Sequence, residues 1–406
     1  MGVRVAIGLM IVFLLSACSS FNQLRSNLDE LENTYQTVDI QVEPSDNEAP
    51  LLLVALNDAN GKEISNLWLV DKHNANRMLI AKSTQYLLAF FDDNGDFKRQ
   101  QDEPYQLIPF KATSTITIAP SKFNRTQVLS GLNGRDLTLS DDPIMRQFRI
   151  GALASIDDVR FDLSQADLGL WQPMEQVKSG ITGLYFVDEY NAHKPMVLFV
   201  HGMKGSPRNF QSIIRKVQAE GYQVLVYYYP SGLSLDTISD GLFESLAVAQ
   251  HKYAVKRIHL VAHSMGGLIS KAFLNRCEVA PNCIEVTSFT SVSTPFQGVK
   301  SAEAGVAYAP VVVPAWQDLQ PSSEFIKQLY SVTSKTPHLL VFSYQLTGII
   351  NSESSDGVIA LSSQLDSRAQ LLATRMLGLP LGHVNVLDSE MLYEQMLTFW
   401  RDNEPD

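Results

Sequence analysis

The sequence predicts an α/β protein in which a mostly parallel β-sheet flanked by helices follows a β-sandwich-like domain. Two patterns carry this expectation. From Pro195 onward, apolar runs of strand length alternate with helical segments: PMVLFVHG, then SPRNFQSIIRKVQAEGY, then YQVLVYYYP. Alternation of this kind builds βαβ units, and strands covered by helices on both faces read as continuous apolar runs. Between residues 38 and 130, short apolar runs are instead broken by turn signals at a spacing that suits a small sandwich.

The chain opens with MGVRVAIGLMIVFLLSACSS, which joins a charge at Arg4, an apolar run from Val5 to Leu15, and small residues ahead of a cysteine. That order is the pattern of a secretion signal. The run is too short for a hydrocarbon core of ~30 Å, which takes roughly 20 apolar residues. Leu15-Ser16-Ala17-Cys18 resembles a bacterial lipobox, which implies removal of residues 1–17 and acylation of Cys18. Several acyl chains anchor stably where one does not. By the same resemblance, Ser19 in place of aspartate favours the outer membrane of a bacterial envelope.

Loss of Arg4 with the signal leaves the chain one unit more negative than its formal −11. An acidic protein with no lysine or arginine run is a poor partner for nucleic acid. Residues 18–37 are polar and suit a tether with little order, apart from a helical hint in LRSNLDELENTY.

Within the β-rich region, LLLVALND, SNLWLVD, YLLAFFDDNGD, YQLIPF and STITIAP read as strands. Asp92, Asn94, Asp96 and Glu103 have the offsets of positions 1, 3, 5 and 12 of a calcium loop, where oxygens converge on a hard cation. Phe97 stands where such a loop takes glycine, and Asn94-Gly95 by itself explains a turn, so both readings stand. Residues 131–180 connect to the candidate catalytic domain, residues 181–406, with a first strand in GLYFVDEY.

After YQVLVYYYP come a helix in LDTISDGLFESLAVAQHKY, a strand in RIHLVAHS and a helix in MGGLISKAFLNR. IEVTSFTSVSTP, HLLVFSYQ and QLLATRML continue the strands, and MLYEQMLTFWRD closes the chain as a helix. Cys277 and Cys283, in NRCEVAPNCIE, are an even pair that fits a disulfide in an oxidising compartment. They lack the nearby histidines of a metal site.

The candidate chemistry centres on IHLVAHSMGG. A strand that turns sharply into a helix at A-H-S-M-G-G lifts the Ser264 hydroxyl clear of the sheet, and small neighbours let the two backbones approach. A serine hydroxyl needs a base to take its proton, and the base needs a carboxylate to set its tautomer. Only His338 and His383 follow Ser264. His338 opens an apolar strand and reads as structural. His383 lies in PLGHVNVL, a loop between the last strand and the terminal helix, where a base belongs. Asp356, in an Asp-Gly turn after HLLVFSYQ, is the candidate acid, with Glu353 and Asp366 as rivals. A developing oxyanion needs two backbone donors, and Met265 and Met203 stand at the corresponding positions.

FVHGMKGSP, LVAHSMGGLIS, SSDGVIALSS and GLPLGHVNVL together resemble the oxyanion, elbow, acid and histidine segments of the α/β-hydrolase superfamily, in its lipase-like branch. The resemblance covers roughly residues 180–402, and STPFQGVKSA and QDLQPSSEFIKQL extend it. Lipases often carry histidine where Phe296 or Gln297 stands here. It implies an α/β-hydrolase fold and cleavage of an acyl or lipid ester through an acyl-enzyme, with no cofactor. Ser264 would attack, His383 would shuttle the proton and Asp356 would orient His383. The apolar stretch from Ala302 to Trp316 suits a lid or acyl-chain wall, or equally buried packing. Acyl transfer, amide cleavage, or an inert scaffold behind a binding β-domain are the rival functions.

Overall fold

The computed structural model describes residues 19–72, 76–111, 113–124, 129–132, 134–280, 283–345 and 354–404. Cys18 and the signal segment lie outside them, as does Glu353.

Residues 19–34 form helix α1, where the sequence suggests a loose tether. Leu24, Asn27, Leu28 and Leu31 recur at helical spacing and face the body of the protein, with Leu24 in the main core. Asn27 Oδ1 accepts from the Met174 and Glu175 amides at 3.0 and 3.2 Å, so it caps the helix that starts at Pro173. Glu30 pairs with Lys178.

The next seven strands are β1 (Tyr35–Val42), β2 (Leu51–Leu56), β3 (Ile64–Val70), β4 (Asn76–Ala81), β5 (Tyr86–Phe91), β6 (Tyr105–Pro109) and β7 (Thr115–Ile118). They make a three-stranded sheet, β4-β1-β7, and a four-stranded sheet, β3-β2-β5-β6. Leu51, Leu53 and Ala55 pack across to Val38 and Ile40, so the sheets form a sandwich. The opposite face of β2, Leu52, Val54 and Leu56, is also covered, by Leu132 and by Val248 from the larger domain. Coverage on both faces explains why LLLVAL carries no polar alternation.

The acidic loop between β5 and β6 spends its oxygens on the backbone. Asp92 accepts from the Asp96 and Phe97 amides at 3.2 and 2.9 Å, and Glu103 accepts from Asp93 and Gln100 at 3.2 and 2.8 Å. Asn94 and Asp96 accept from Asp96 and Lys98 in the same way. Among the described residues no group of three or more His, Cys, Asp or Glu side chains is placed to hold a metal.

The second domain contains β8 (Arg149–Leu153), α2 (Ala166–Trp171), α3 (Pro173–Lys178), β9 (Gly183–Phe186), β10 (Met196–Val200), α4 (Gln211–Ala219) and β11 (Gln223–Tyr228). It continues through α5 (Leu235–Tyr253), β12 (Arg257–His263), α6 (Met265–Val279), β13 (Glu285–Val292), α7 (Lys300–Tyr308), α8 (Pro314–Leu319) and α9 (Glu324–Gln328). It ends with β14 (His338–Ser343), α10 (Leu361–Gln364), α11 (Ser367–Leu372), β15 (Arg375–Leu379) and α12 (Glu390–Asn403). Their sheet has the order β15-β14-β13-β12-β10-β11-β9-β8, and neighbours run parallel except β11 with β9. β8 lies within the stretch that the sequence suggests is only a connection.

Strand β10 shows the period-two logic of a sheet buried on both faces. Met196, Leu198 and Val200 join a core with α5 and α6, while Val197 and Phe199 join one with α4 and α12. Each fully buried side chain of this kind contributes about 1.5–3 kcal/mol. From β10 the chain crosses to β11 on one side, and β12 then returns to the other side of β10. The loops after β10 and β12 therefore leave adjacent strands at a switch point, where open α/β sheets bind ligands. Cys277, in the last turn of α6, and Cys283, beyond its end, are joined as a disulfide.

Candidate active site

Ser264 occupies the turn between β12 and α6 with φ 55° and ψ −128°. A non-glycine residue pays for that conformation, and the surroundings hold it there. Its amide donates to Val292 of β13 at 2.9 Å, and its carbonyl accepts from Gly267 at 2.9 Å. Close approach explains the glycines. A methyl group on Gly202 would meet Ser264 Cβ at 2.8 Å, and one on Gly266 would strike the carbonyls of Val200 and His201.

His383 Nε2 lies 2.9 Å from Ser264 Oγ, and His383 Nδ1 lies 2.6 Å from Asp356 Oδ2. All three side chains are nearly buried, Ser264 and His383 at 8 % exposure and Asp356 at 1 %. The carboxylate is an acceptor, so Nδ1 carries the proton and Nε2 faces the serine hydroxyl with a lone pair. His383 follows β15 and Asp356 lies after β14 in an Asp-Gly turn, with Gly357 at φ 96°.

Asp356 has further donors, which the sequence does not single out. Oδ2 accepts from Ser343 Oγ and Gln364 Nε2, both at 3.1 Å, and Oδ1 accepts from the Val358 and Ile359 amides at 2.9 and 2.7 Å. Burial pushes its pKa up, but the His383 hydrogen bond and charge and the two amides outweigh burial and hold it below the usual carboxylate range. The rival Asp366 caps α11 through the Arg368 amide at 2.8 Å and pairs with the Arg368 side chain.

Two other histidines brace the site. His263 Nε2 lies 2.8 Å from the His383 carbonyl. Burial, then the neighbouring His383, lowers the pKa of His263 to about 3. It is therefore neutral at ordinary pH, with the proton on Nε2. His201 stacks on Tyr229 with ring centroids 4.0 Å apart, and its Nδ1 donates to the Gly202 carbonyl at 2.8 Å. Burial lowers its pKa to about 4. His338 is buried in the sheet with Nε2 2.8 Å from Ser291 Oγ.

Met203 lies in the turn after β10 and Met265 is the first residue of α6. Among the described residues, neither backbone N–H has an acceptor within the chain. The first N–H groups of a helix are unpaired by geometry and point outward from its end, as a developing negative charge requires. Lys204 fixes the Met203 turn by donating its amide to Ser231 Oγ at 3.1 Å and pairing with Asp167 at 2.7 Å. Phe296 is buried where lipases often carry histidine, and its carbonyl accepts from Tyr330 Oη at 3.1 Å.

A mostly parallel sheet with a serine on the turn after β12, a carboxylate beyond β14 and a histidine beyond β15 defines an α/β-hydrolase. Residues 191–328, about a third of the chain, match a family described as "Putative serine esterase (DUF676)". That segment contains Met203, Ser264 and Met265, and the match supports ester hydrolysis. No curated protein matches the chain. Similar solved structures include the lin2722 gene product of Listeria innocua, with 13% identity over 52% of this chain and 96% of that one and a TM-score of 0.40. Another is the mature Bacillus licheniformis lipase BlEst2, with 16% identity over 53% and 97% and a TM-score of 0.42. A membrane phospholipase A described as a bacterial virulence factor has 17% identity over 52% and 79% and a TM-score of 0.35.

Proposed function

We propose that the protein is a membrane-anchored serine hydrolase that cleaves carboxylic acyl esters through an acyl-enzyme. The hydrogen-bonded run from Asp356 through His383 to Ser264, at 2.6 and 2.9 Å, carries this reading. Ser264 Oγ attacks the ester carbonyl as its proton passes to His383 Nε2, and Asp356 stabilises the resulting imidazolium. The negative charge on the tetrahedral oxygen is met by the Met203 and Met265 amides, a contribution of about 3–4 kcal/mol per donor in serine hydrolases. The C–O bond to the alcohol breaks, and His383 returns the proton to the leaving oxygen. Water, deprotonated by His383, then attacks the acyl-enzyme, releasing the acid and restoring the Ser264 hydroxyl. The chemistry calls for no cofactor. The lipobox-like residues around Cys18 support anchoring in a bacterial outer membrane.

The test is hydrolysis of p-nitrophenyl esters of increasing acyl length by a soluble form that starts at a replaced Cys18. Parent activity with loss in Ser264→Ala is the expected result. Equal rates in parent and variant contradict the proposal.

A further inference from the structure

An acylated Cys18 would have little slack between it and the folded body, because the residue that follows it, Ser19, already lies in the docked helix α1. Phe21 of α1 meets Trp171 edge to face with ring centroids 5.3 Å apart. Trp171 in turn meets Trp316 of α8 at 6.1 Å. Arg25 Nη2 donates to the Pro310 carbonyl at 3.3 Å. The start of α1, the end of α2 and the α7–α8 segment thus form one face at the anchored end of the chain.

The outside of that face carries exposed apolar groups past the charged start of α7, Lys300 and Glu303. Tyr308 is 86% exposed at the end of α7, and Ala304, Ala307 and Pro310 are exposed beside it. In α7 only Ala302 is buried. Beyond it Val313 and Ala315 turn inward, so the stretch 302–316 divides between an outer rim and an inner clamp. Exposed tyrosine with tryptophan behind it is the composition that settles at a bilayer's polar boundary. The face also borders the site. α7 follows β13, the neighbour of the strand that presents Ser264, and the Lys204–Asp167 pair links the Met203 turn to α2.

We infer that this face rests on the bilayer that holds the acylated Cys18, so that the site draws its acyl-ester substrate from the membrane itself. The inference rests on the proposed ester hydrolysis and acylation. A docked helix in place of a leash sets the orientation, because the anchor fixes a point and the aromatic rim fixes the tilt.

The acylated full chain, reconstituted in phosphatidylethanolamine and phosphatidylglycerol vesicles, is compared on two reporters. One is a long-chain acyl ester embedded in the vesicles and the other is soluble p-nitrophenyl butyrate. A 15-residue Gly/Ser insertion after Ser19 gives the anchor a leash with a root-mean-square span of roughly 20 Å, and Tyr308→Asp charges the rim. Both variants are expected to lose at least about fivefold on the embedded ester while staying within about twofold on the soluble one, a differential binding effect. An active parent whose variants keep the embedded-ester rate overturns the docking inference alone. A parent inactive on both esters removes the hydrolase reading and this inference with it.

Discussion

His263 donates its Nε2 proton to the backbone carbonyl of His383, 2.8 Å away, and the two rings lie 4.6 Å apart. The residue preceding the serine thus holds the loop that delivers the base, so two chain segments 120 residues apart are set by one buried hydrogen bond. Because His263 stays neutral, that bond does not titrate in the working range of an imidazole base.

Replacing His263 with phenylalanine leaves the His383 carbonyl unpaired and lets the loop drift. Displacement of a positioned base lowers kcat more than KM, and a loss of about tenfold corresponds to ~1.4 kcal/mol. Steady-state kinetics beside a thermal melt check this. A lower melting temperature with kcat unchanged would show that His263 only packs the core.

Asp356 takes five donors, so its removal and the removal of one supporter differ in scale. Asp356→Asn is expected to lower kcat by roughly 10³–10⁴ through the wrong imidazole tautomer. Gln364→Ala, which deletes one donor to Oδ2, should cost only about tenfold, or ~1.4 kcal/mol. Both values come from kcat on one soluble ester.

Much of the site was legible because its parts sit at chain positions defined by strand order. Ser264, His383 and Asp356 each follow an apolar strand, and the structure brings them together. What supports them was not legible. Ser343 and Gln364 look like ordinary polar residues until the Asp356 turn folds over them, and His263 looks like a neighbour of the serine. The choice among Glu353, Asp356 and Asp366 also depended on local geometry, since Asp366 is committed to capping α11. In the fold, α1 was underestimated because its apolar positions are sparse and gain meaning only against α3. β8 was missed because RIGAL is a short edge strand with no alternation to mark it.

Stability should depend on Glu244, half-buried on α5 beside a cavity of about 780 Å³ between the sandwich and the larger domain. Burial raises its pKa to about 8 against the attraction of Arg276, whose pair is Asp240 at 2.5 Å. The folded pKa lies above the unfolded value of ~4.3. Its contribution is therefore fully present below that value and lost as the pH rises through about 8. Glu244→Gln should flatten the fall in Tm between mildly acidic pH and about 8. Identical slopes in parent and variant would count against the shift.

The Cys277–Cys283 bridge closes a loop of sequence separation 6 on the far side of α6 from Ser264. Serine at both positions should cost about 2 kcal/mol by the loop-entropy relation, measured by denaturant unfolding. Ester hydrolysis at a temperature where both proteins are folded should be unchanged, because no residue of the bridge touches the Ser264 turn.

Covalent capture identifies the nucleophile itself. The soluble form is treated with an aryl-ester or phosphonate probe that leaves a stable adduct on an activated serine, and the labelled peptide is sequenced by mass spectrometry. One adduct is expected, on Ser264 in the AHSMGG turn, slowed strongly in His383→Ala and absent in Ser264→Ala. An adduct on a different serine, or labelling that is unchanged without His383, would contradict it.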